Sequence, residues 1–481
     1  MTDVEGLDLE LPGNHRYQPA ELQPILGYDK LYWGLAEVEL AALDVLHEIG
    51  VIPDSDYAHL TAPARDGLRA ITTTAVDEEE RKTRHDVRAW VRLAQKILHP
   101  NIGRWVHVPM TSYDPLDTGR AWLYRKAHAE AIRPALLEVI RLFAARTREL
   151  ANQVQIGRTH GQHALPITVG FWLATILHRI VYNAQKLDLH ASELVGKISG
   201  PVGAYNAQAH LGIAERCGQQ TFEERVLGKL GLKPAPISTQ IAPPDPLAYF
   251  LFSAALVTQN IAQFGRDCRQ LMRTEIGEIT ERKEAGTVGS SSMPHKTNPI
   301  SYENCEGMWL KTIGQLVVFC SAMISEHQRD LVNSGPARDF PAILVNLMHQ
   351  LSTLIRKDRA TKRPFITRLT IDAEACARNL HLRSNVILAE PLYVALLIGG
   401  YQGDAHGLLN DELVPIAFQS NRALIDVVLE RAQGDEALAR AVEEFPAGSL
   451  DMFRSPETYT GSAAEKALQI ADAAEAFATA V

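Results

Sequence analysis

The chain has 481 residues, of which 46% are hydrophobic and 22% are charged, a balance typical of a globular protein with a large core. Its formal net charge of −9 argues against a nucleic-acid partner, because nucleic-acid-binding surfaces are usually basic. The acidic N-terminus lacks a signal-peptide pattern, and no apolar run reaches the roughly 20 residues of a membrane span. Five dispersed cysteines indicate reduced thiols, so we expect a cytoplasmic protein without a membrane partner.

Helical periodicity runs through most of the chain. Between residues 132 and 143 the apolar side chains recur on one face of a predicted helix, with charged residues off that face. Longer helices are predicted at 167–195, at 302–328 and at 245–276, where Asp245-Pro246 supplies a cap and a first-turn proline. No segment shows sustained two-residue alternation between hairpin turns. The pattern therefore predicts an all-α fold with strands minor at most.

Two stretches of the predicted helices are too apolar for a protein surface. Between Ile167 and Val181, and again at 247–257, the sequence leaves almost no polar face. Helices of this kind are buried on all sides, and a single small bundle offers few such places. We therefore predict a central long-helix bundle that assembles into a multi-subunit helical core.

Two breaks divide the predicted helices into three helical domains. The first break is rich in proline, glycine, serine and aspartate and lies at 101–117, and the second is a basic stretch at 356–364. The predicted domains are an N-terminal helical domain at 1–111, the central long-helix bundle domain with the serine-rich segment at 112–364, and a C-terminal helical domain at 365–481.

Reactive residue types interrupt the helical pattern in four segments, at 83–86, 110–114, 157–163 and 286–299. Each has a simpler interpretation, as a flexible linker for the serine-rich stretch or as a hydrogen-bonded structural histidine. His160 and His163 have a spacing that suits a metal, but no HExxH motif and no nearby cysteine or carboxylate cluster accompanies them, so we expect no metal. The phosphate-loop, dinucleotide and serine-hydrolase motifs are absent from the sequence, and no cofactor is expected.

The serine-rich segment matches a long motif. Residues 289–299 read Gly-Ser-Ser-Ser-Met-Pro-His-Lys-Thr-Asn-Pro, which agrees with GSSxMPxKxNP, the signature of the fumarase/aspartase superfamily, at every specified position. Further motifs lie along the rest of the chain: Arg16-Tyr17, Thr-Arg-His-Asp-Val at 83–87, Thr-Ser-x-Asp at 111–114, Gly-Arg-Thr-His-Gly-Gln at 157–162, Lys-Ile-Ser-Gly-Pro-Val-Gly at 197–203, Ser-Thr-Gln at 238–240, Gln-Arg-Asp-Leu at 328–331 and Pro-Glu-Thr-Tyr-Thr-Gly at 456–461. Through these motifs the chain resembles, within that superfamily, the adenylosuccinate lyase family over nearly its whole length.

The resemblance implies a lyase that cleaves a C–N bond by β-elimination and releases fumarate, with adenylosuccinate as substrate and the succinylcarboxamide ribotide of purine synthesis as a further candidate. By its place in the motif, Ser290 is the expected base, with its alkoxide stabilised by loop amides, a helix N-terminus or a cation. Lys296 and Asn298 are expected to hold a substrate carboxylate. His160 is the expected general acid, since an ordinary imidazole pKa of about 6.5 suits proton transfer near neutrality. His85 is a second candidate for the acid or for substrate positioning.

The same resemblance implies a set of substrate-binding residues. Those on the succinyl side are Thr111, Ser112, Gln240 and Asn304, and those on the nucleotide and phosphate side are Arg16, Tyr17, Arg329, Ser334 and Arg338. Arg84, Asp86 and Ser291 belong to the matching motifs and complete the set. The resemblance also implies a homotetramer in which each active site takes segments from three chains.

One stretch departs from the family pattern. After Arg329-Asp-Leu the chain reads Val-Asn-Ser-Gly-Pro-Ala-Arg at 332–338, so that Ser334 and Arg338 keep their spacing while Gly335-Pro336 changes the backbone between them. This departure leaves open a sister lyase or a carboxymuconate cycloisomerase-like enzyme that acts on another succinyl- or carboxy-substituted substrate. A non-catalytic structural protein and a nucleotide-binding regulatory module are alternatives from other classes, but neither needs the proton-transfer residues.

Overall fold

The computed structural model describes residues 17–281, 292–293 and 295–480. Helix accounts for 65% of the structure and strand for 6%, which confirms the predicted helical fold. The chain divides into two compact units, each made of three sequence segments. The first unit takes the described residues of Met1–Leu137, Tyr182–Ala262 and Asn304–Ile355, and the second takes those of Glu138–Val181, Gln263–Glu303 and Arg356–Val481. The three-domain division stays a prediction.

Long helices span most of the middle of the chain. Their bounds are Arg133–Glu149, Val169–Ser192, Asp245–Leu271 and Ile300–Ser321. The predicted starts at Asp245 and near Ile300 are close to those observed, because a cap followed by proline is readable from sequence. The helices predicted at 245–276 and 302–328 end earlier than predicted. The first ends at Leu271, before a short strand, and the second ends at Ser321, before an irregular segment.

Asp245–Leu271 is also the one helix, among the residues that the structure describes, with the length and apolar composition that could cross a membrane. Within its most apolar window 61% of the residues are buried inside the protein. Burial of this kind is typical of the core helix of a helical bundle.

Shorter helices make up the rest of the first unit. They are Gln23–Leu26, Trp33–Glu48, Asp54–Tyr57, Ala62–Arg69, Thr73–Thr83, Asp86–Ile97, Pro100–Gly103, Tyr113–Ala127, Asn206–His210, Phe222–Lys229, Pro336–Asp339 and Pro341–Ile355, with a π-helical turn at His128–Ile132 and 3-10 turns at Ala20–Leu22, Tyr28–Lys30 and Ala214–Arg216. Two of them, Trp33–Glu48 and Tyr113–Ala127, cross at Gly34 and Gly119, where neither backbone leaves room for a side chain.

The C-terminal part of the second unit is a cluster of short helices. They are Ala373–His381, Ala389–Ile398, Ala405–Gly407, Val414–Ser420, Leu424–Ala432, Glu436–Glu443, Ser449–Arg454 and Ala463–Thr479, with a π-helical turn at Leu408–Leu413 and 3-10 turns at Phe365–Arg368 and Pro456–Thr458. Leucine and valine side chains close its core, among them Leu392, Leu396, Val428 and Leu438, all nearly inaccessible to solvent.

Strands occur as three short pairs. Val154–Thr159 and Gln162–Thr168 form an antiparallel hairpin, Ile279–Glu281 pairs antiparallel with Leu369–Ile371, and Val195–Gly196 runs parallel to Lys233–Pro234. The hairpin was not predicted from the sequence. An irregularity in the pairing between Ile156 and Arg158 breaks the two-residue alternation of its first strand, and its turn is His160-Gly161 rather than the more usual Asn-Gly or Asp-Gly.

The crossing at Gly34 and Gly119 leads to a test of the first unit's packing. In Gly119→Ala the new Cβ would lie 2.5 Å from the carbonyl carbon of Gly34, so we expect the free energy of unfolding to fall. The expected loss is roughly 1–3 kcal/mol, as for other overpacked cores, measured by chemical denaturation.

Gly228→Ala is the matched control, because Gly228 lies in the helix Phe222–Lys229 and a Cβ there meets nothing within 4 Å. Alanine at this position should stabilise the protein by about 0.5–1 kcal/mol. A Gly119→Ala protein as stable as the parent would contradict the described crossing.

Candidate functional site

The first predicted motif lies at a break between two helices of the first unit. One helix ends at Thr83 and the next begins at Asp86. Arg84 adopts a left-handed conformation with φ 53°, a region that few residues other than glycine occupy. His85 is the N-cap of the second helix, because its Nδ1 accepts a hydrogen bond from the amide of Arg88 at 3.4 Å. The motif thus presents His85 and Asp86 side by side at a helix N-terminus.

Ser112, from the second predicted motif, lies beside this turn. Its Oγ is 3.4 Å from Nε2 of His85. Nδ1 of His85 also lies 3.4 Å from Oδ1 of Asp86. In the tautomer whose Nδ1 accepts the capping hydrogen bond, Nε2 carries the proton and can donate it to Ser112. The His85 side chain is 52% exposed, so this donor also faces solvent.

A buried ion pair supports the motif that contains Ser112. Nζ of Lys197 lies 2.5 Å from Oδ1 of Asp114, and neither side chain is accessible to solvent. Nζ also donates to the carbonyl oxygens of Gln240 at 2.9 Å and Gly200 at 3.3 Å. The other carboxylate oxygen of Asp114 accepts from the amide of Thr111 at 2.7 Å. The pair therefore fixes the backbone of two predicted substrate-binding residues, Thr111 and Gln240.

Arg329 lies on the face of an aromatic ring in the first unit. Its guanidinium carbon is 3.3 Å from the ring centre of Tyr113. The guanidinium nitrogens are buried, and none of the residues with described positions accepts a hydrogen bond from them. The carbonyl of Gln328 accepts from the amide of Gln240 at 3.3 Å, which joins the two segments. A buried guanidinium in this state suits an anionic group of a ligand.

A cavity in the first unit gathers further predicted residues. It encloses about 750 Å³, part of it open to solvent, and Tyr32, Asp86, Tyr113, Ser334 and Arg338 are among its lining residues. Nη2 of Arg338 donates to Oδ2 of Asp86 at 3.3 Å, and the same guanidinium is hydrogen-bonded to the hydroxyl of Tyr32. Burial, and then the charge of Asp86, raise the pKa of Tyr32, so its hydroxyl stays protonated.

The departure at 332–338 does not separate Ser334 from Arg338. Pro336 is the first residue of the short helix Pro336–Asp339, a position where proline is tolerated because the first amides have no partner within the helix. Gly335-Pro336 therefore begins a helical turn, and both flanking side chains line the same cavity.

His160 lies in the second unit, at the tip of the hairpin. His160 and Gly161 have φ values of 54° and 77°, and Thr159 pairs with Gln162 across them, which is the geometry of a two-residue type I′ turn. Histidine is one of the few residues enriched in the left-handed region, so the turn exposes the imidazole at little cost.

The other predicted residues of the second unit lie before the helix Ile300–Ser321. Lys296 is exposed and Asn298 is half-buried. Ser290, Ser291 and Arg16 lie outside the described residues, and their predicted roles stay predictions.

Several predicted residues of the first unit are not among the lining residues of this cavity, including Thr111, Ser112, Gln240 and Arg329, and Tyr17 and Asn304 are two more. Tyr17 packs edge-to-face on His349, with ring centres 5.6 Å apart, and Asn304 is half-buried in the first turns of its helix. Neither lines the cavity that contains Ser334 and Arg338. Their assignment to the substrate is not supported by a contact within the first unit and stays a prediction.

Several residues of the site were not singled out in the sequence. Tyr32 and Tyr113 carry no motif of their own, and Lys197 was quoted only as part of a matching motif. The sequence does not indicate that Lys197 is buried, because lysine is almost never fully buried unless it is paired, and its partner Asp114 is distant in the chain. The sequence also offers no signal for the role of Tyr32, because its partners Asp86 and Arg338 are distant in the chain.

Two further groups near the predicted residues have shifted pKa values. In the first unit, burial raises the pKa of Asp117, although Arg120 and the amide of Ala242 act in the opposite direction. In the second unit, burial and then the charge of Arg158 lower the pKa of His163, so this imidazole is uncharged at neutral pH.

Comparison with known proteins extends over the whole chain. A family model described as a lyase matches residues 48–314. The adenylosuccinate lyase of Pyrococcus horikoshii is 33% identical over 460 residues, which cover 94% of this chain and 95% of the relative. That of Methanothermobacter thermautotrophicus is 30% identical over 94% of this chain and 96% of its own.

Among solved structures, a 3-carboxy-cis,cis-muconate lactonizing enzyme from Pseudomonas putida has a TM-score of 0.77. It is 24% identical and the match covers 96% of this chain and 98% of that chain. At this identity the likeness shows a shared fold and carries no argument about substrate.

The buried ion pair generates a stability prediction. Lys197→Met leaves the carboxylate of Asp114 buried without its partner, so the free energy of unfolding should fall by about 3–5 kcal/mol. Thermal unfolding at one fixed protein concentration measures the difference.

Lys229→Met is the matched control, because Lys229 pairs with Glu48 at 2.6 Å while both side chains are about a third or more exposed. Loss of such a surface pair should cost less than about 1 kcal/mol. Equal destabilisation by the two substitutions would contradict the special role of the buried pair.

Proposed function

The chain belongs to the adenylosuccinate lyase family, and from that premise we propose that it cleaves adenylosuccinate to AMP and fumarate. The observation that supports the proposal is the extent of the relationship to adenylosuccinate lyases, which covers 94% of this chain and 95% of the Pyrococcus horikoshii enzyme. The sister-lyase alternative is not favoured, because the lactonizing enzyme shares the fold alone.

The proposed reaction is a β-elimination. A base removes a proton from the succinyl carbon next to the one that bears nitrogen, and the electron pair forms the new double bond of fumarate. The C–N bond then breaks, its electrons stay on nitrogen, and an acid protonates that nitrogen. We assign the base to Ser290, the acid to His160, and the stabilisation of the charged intermediate to Lys296 and Asn298.

Adenylosuccinate carries a phosphate and two carboxylates, so its binding site needs hydrogen-bond donors with positive charge. The buried guanidinium of Arg329 donates to no acceptor among the described residues, although the carboxylates of Asp117 and Asp330 are close enough to interact with its charge. Arg338 and Ser334 line one cavity, with Asp86 as the present partner of Arg338. We assign Arg329, Ser334 and Arg338 to the phosphate, where the forked guanidinium matches phosphate oxygens.

His85 suits positioning better than acid catalysis. Its Nδ1 is engaged as the acceptor that caps the helix Asp86–Ile97, and its Nε2 proton points towards Ser112. Protonation of Nδ1 would remove the acceptor that the helix N-terminus uses, whereas a neutral imidazole can donate from Nε2 to a substrate carboxylate without that loss. We therefore assign His85, with Thr111 and Ser112, to binding of the succinyl group.

We also propose a cytoplasmic homotetramer with active sites shared between chains. Large apolar side chains are exposed on the long helices of the first unit, including Tyr182, Tyr249 (61% exposed), Phe252, Leu310 and Val317. Apolar surface of this amount is usually covered by another subunit. In solution the mass should correspond to four chains of 53.1 kDa each, and a clean monomer would contradict the proposal.

The activity is tested by mixing the protein with adenylosuccinate and following the ultraviolet change as AMP forms. The parent protein should turn over the substrate, and Ser290→Ala should lower kcat by about 10²- to 10⁴-fold while substrate binding is kept. Binding of adenylosuccinate to the variant is measured by calorimetry.

Ser292→Ala is the matched control, because Ser292 occupies the position of the motif that allows any residue. Its kcat should stay within about threefold of the parent value. No turnover by the folded parent protein would exclude the proposed function, and near-normal activity of Ser290→Ala would exclude Ser290 as the base.

A further inference from the structure

One buried carboxylate in the second unit accepts hydrogen bonds from three side chains that belong to two elements. Glu278 is inaccessible to solvent, and it accepts from both terminal nitrogens of Arg158, at 2.6 Å and 3.0 Å. Gln155 donates to it at 2.8 Å, and Asn379 donates to it at 2.8 Å. Arg158 and Gln155 belong to the first strand of the hairpin, and Asn379 belongs to the helix Ala373–His381.

An irregularity in the first strand of the hairpin allows the side chains of both Gln155 and Arg158 to reach this carboxylate. Gln155 and Arg158 are three residues apart, and in a regular strand such residues face opposite sides. The pairing register shifts between Ile156 and Arg158, at Gly157, and this irregularity returns the two side chains to one side. Glycine is required there, because a Cβ at Gly157 would lie 2.8 Å from the carbonyl oxygen of Leu165.

The backbone around Glu278 is also held by hydrogen bonds. The carbonyl of Glu278 accepts from the amide of Asp372 at 3.0 Å, and the carbonyl of Ile276 accepts from Asn379 at 2.8 Å. Glu278 therefore joins the strand Ile279–Glu281, the helix Ala373–His381 and the hairpin whose turn contains His160. A buried charge that accepts four hydrogen bonds holds its donors in one geometry, since any movement leaves the charge unsatisfied.

We propose that Glu278 is a positioning residue for catalysis, which acts by holding the hairpin so that His160 is presented in one orientation. The inference rests on the proposed function, because it takes His160 as the acid of the elimination. Glu278 does not touch the substrate. Displacement of a catalytic group by an ångström is enough to slow a reaction by about 10²-fold, so loss of the anchor should reduce kcat more than it changes KM.

The test is a double-mutant cycle in the full-length protein. Glu278→Gln keeps the shape of the side chain and removes its charge, and it should lower kcat by roughly 10- to 100-fold with KM changed by less than about threefold. In a His160→Gln background the same substitution should lower kcat by less than about threefold, because the group that it positions is already gone. An equal effect in both backgrounds would overturn the inference.

The matched control is Asp358→Asn. Asp358 is also a buried carboxylate of the second unit, paired with Arg368 at 3.4 Å, but it has no contact with the hairpin in the described residues. This substitution should lower thermal stability while kcat stays within about threefold of the parent value. A loss of kcat as large as that of Glu278→Gln would mean that general destabilisation explains both, and would overturn the inference.

Hydrogen exchange supplies a readout that does not depend on activity. In Glu278→Gln the amides of the hairpin, 154–168, should exchange at least about tenfold faster, with Asp245–Leu271 unchanged. Gln155→Leu, which removes one donor, should give a smaller change in the same direction and covers the case in which Glu278→Gln does not fold. Unchanged exchange of the hairpin would overturn the inference, whereas failure of the parent protein to cleave adenylosuccinate would overturn the proposed function alone.

Discussion

The ion pair between Asp114 and Lys197 is the constraint on which the rest of the first unit's site depends. Removing two charges from water costs several kcal/mol for each ion, so the pair persists only because further hydrogen bonds satisfy both groups. These bonds come from the backbone of segments that carry predicted substrate residues, at Thr111 and at Gln240. The interaction that keeps the charges satisfied therefore also sets the positions of the ligand-facing residues.

A similar arrangement recurs in the second unit around Glu278. In both places a buried carboxylate is surrounded by donors from segments far apart in sequence, and a predicted ligand-facing residue lies next to one of those donors. The two arginines that we assign to the phosphate differ from these pairs and from each other. Arg329 has no hydrogen-bond acceptor among the described residues, whereas Arg338 is 42% exposed and already pairs with Asp86 at 3.3 Å.

Much of the fold could be predicted from the sequence, because helices leave a local signal. The cap at Asp245 and the apolar face of residues 132–143 depend on neighbours within a few turns. The hairpin around His160 depends on a two-residue turn with an unusual composition, and a bulge at Gly157 breaks the alternation by which its first strand would be recognised. Roles such as those of Lys197 and Glu278 could not be predicted, since Lys197 and Asp114 are 83 residues apart and meet only in the folded chain.

We propose that the first unit binds the phosphate end of adenylosuccinate through Arg329, Ser334 and Arg338. A crystal structure of the inactive Ser290→Ala protein with adenylosuccinate would show where the phosphate lies. Its oxygens are expected within hydrogen-bond distance of both guanidinium groups, with Arg338 released from Asp86 or shared with it. A phosphate bound elsewhere, with Arg329 still stacked on Tyr113 and without an acceptor, would exclude this assignment.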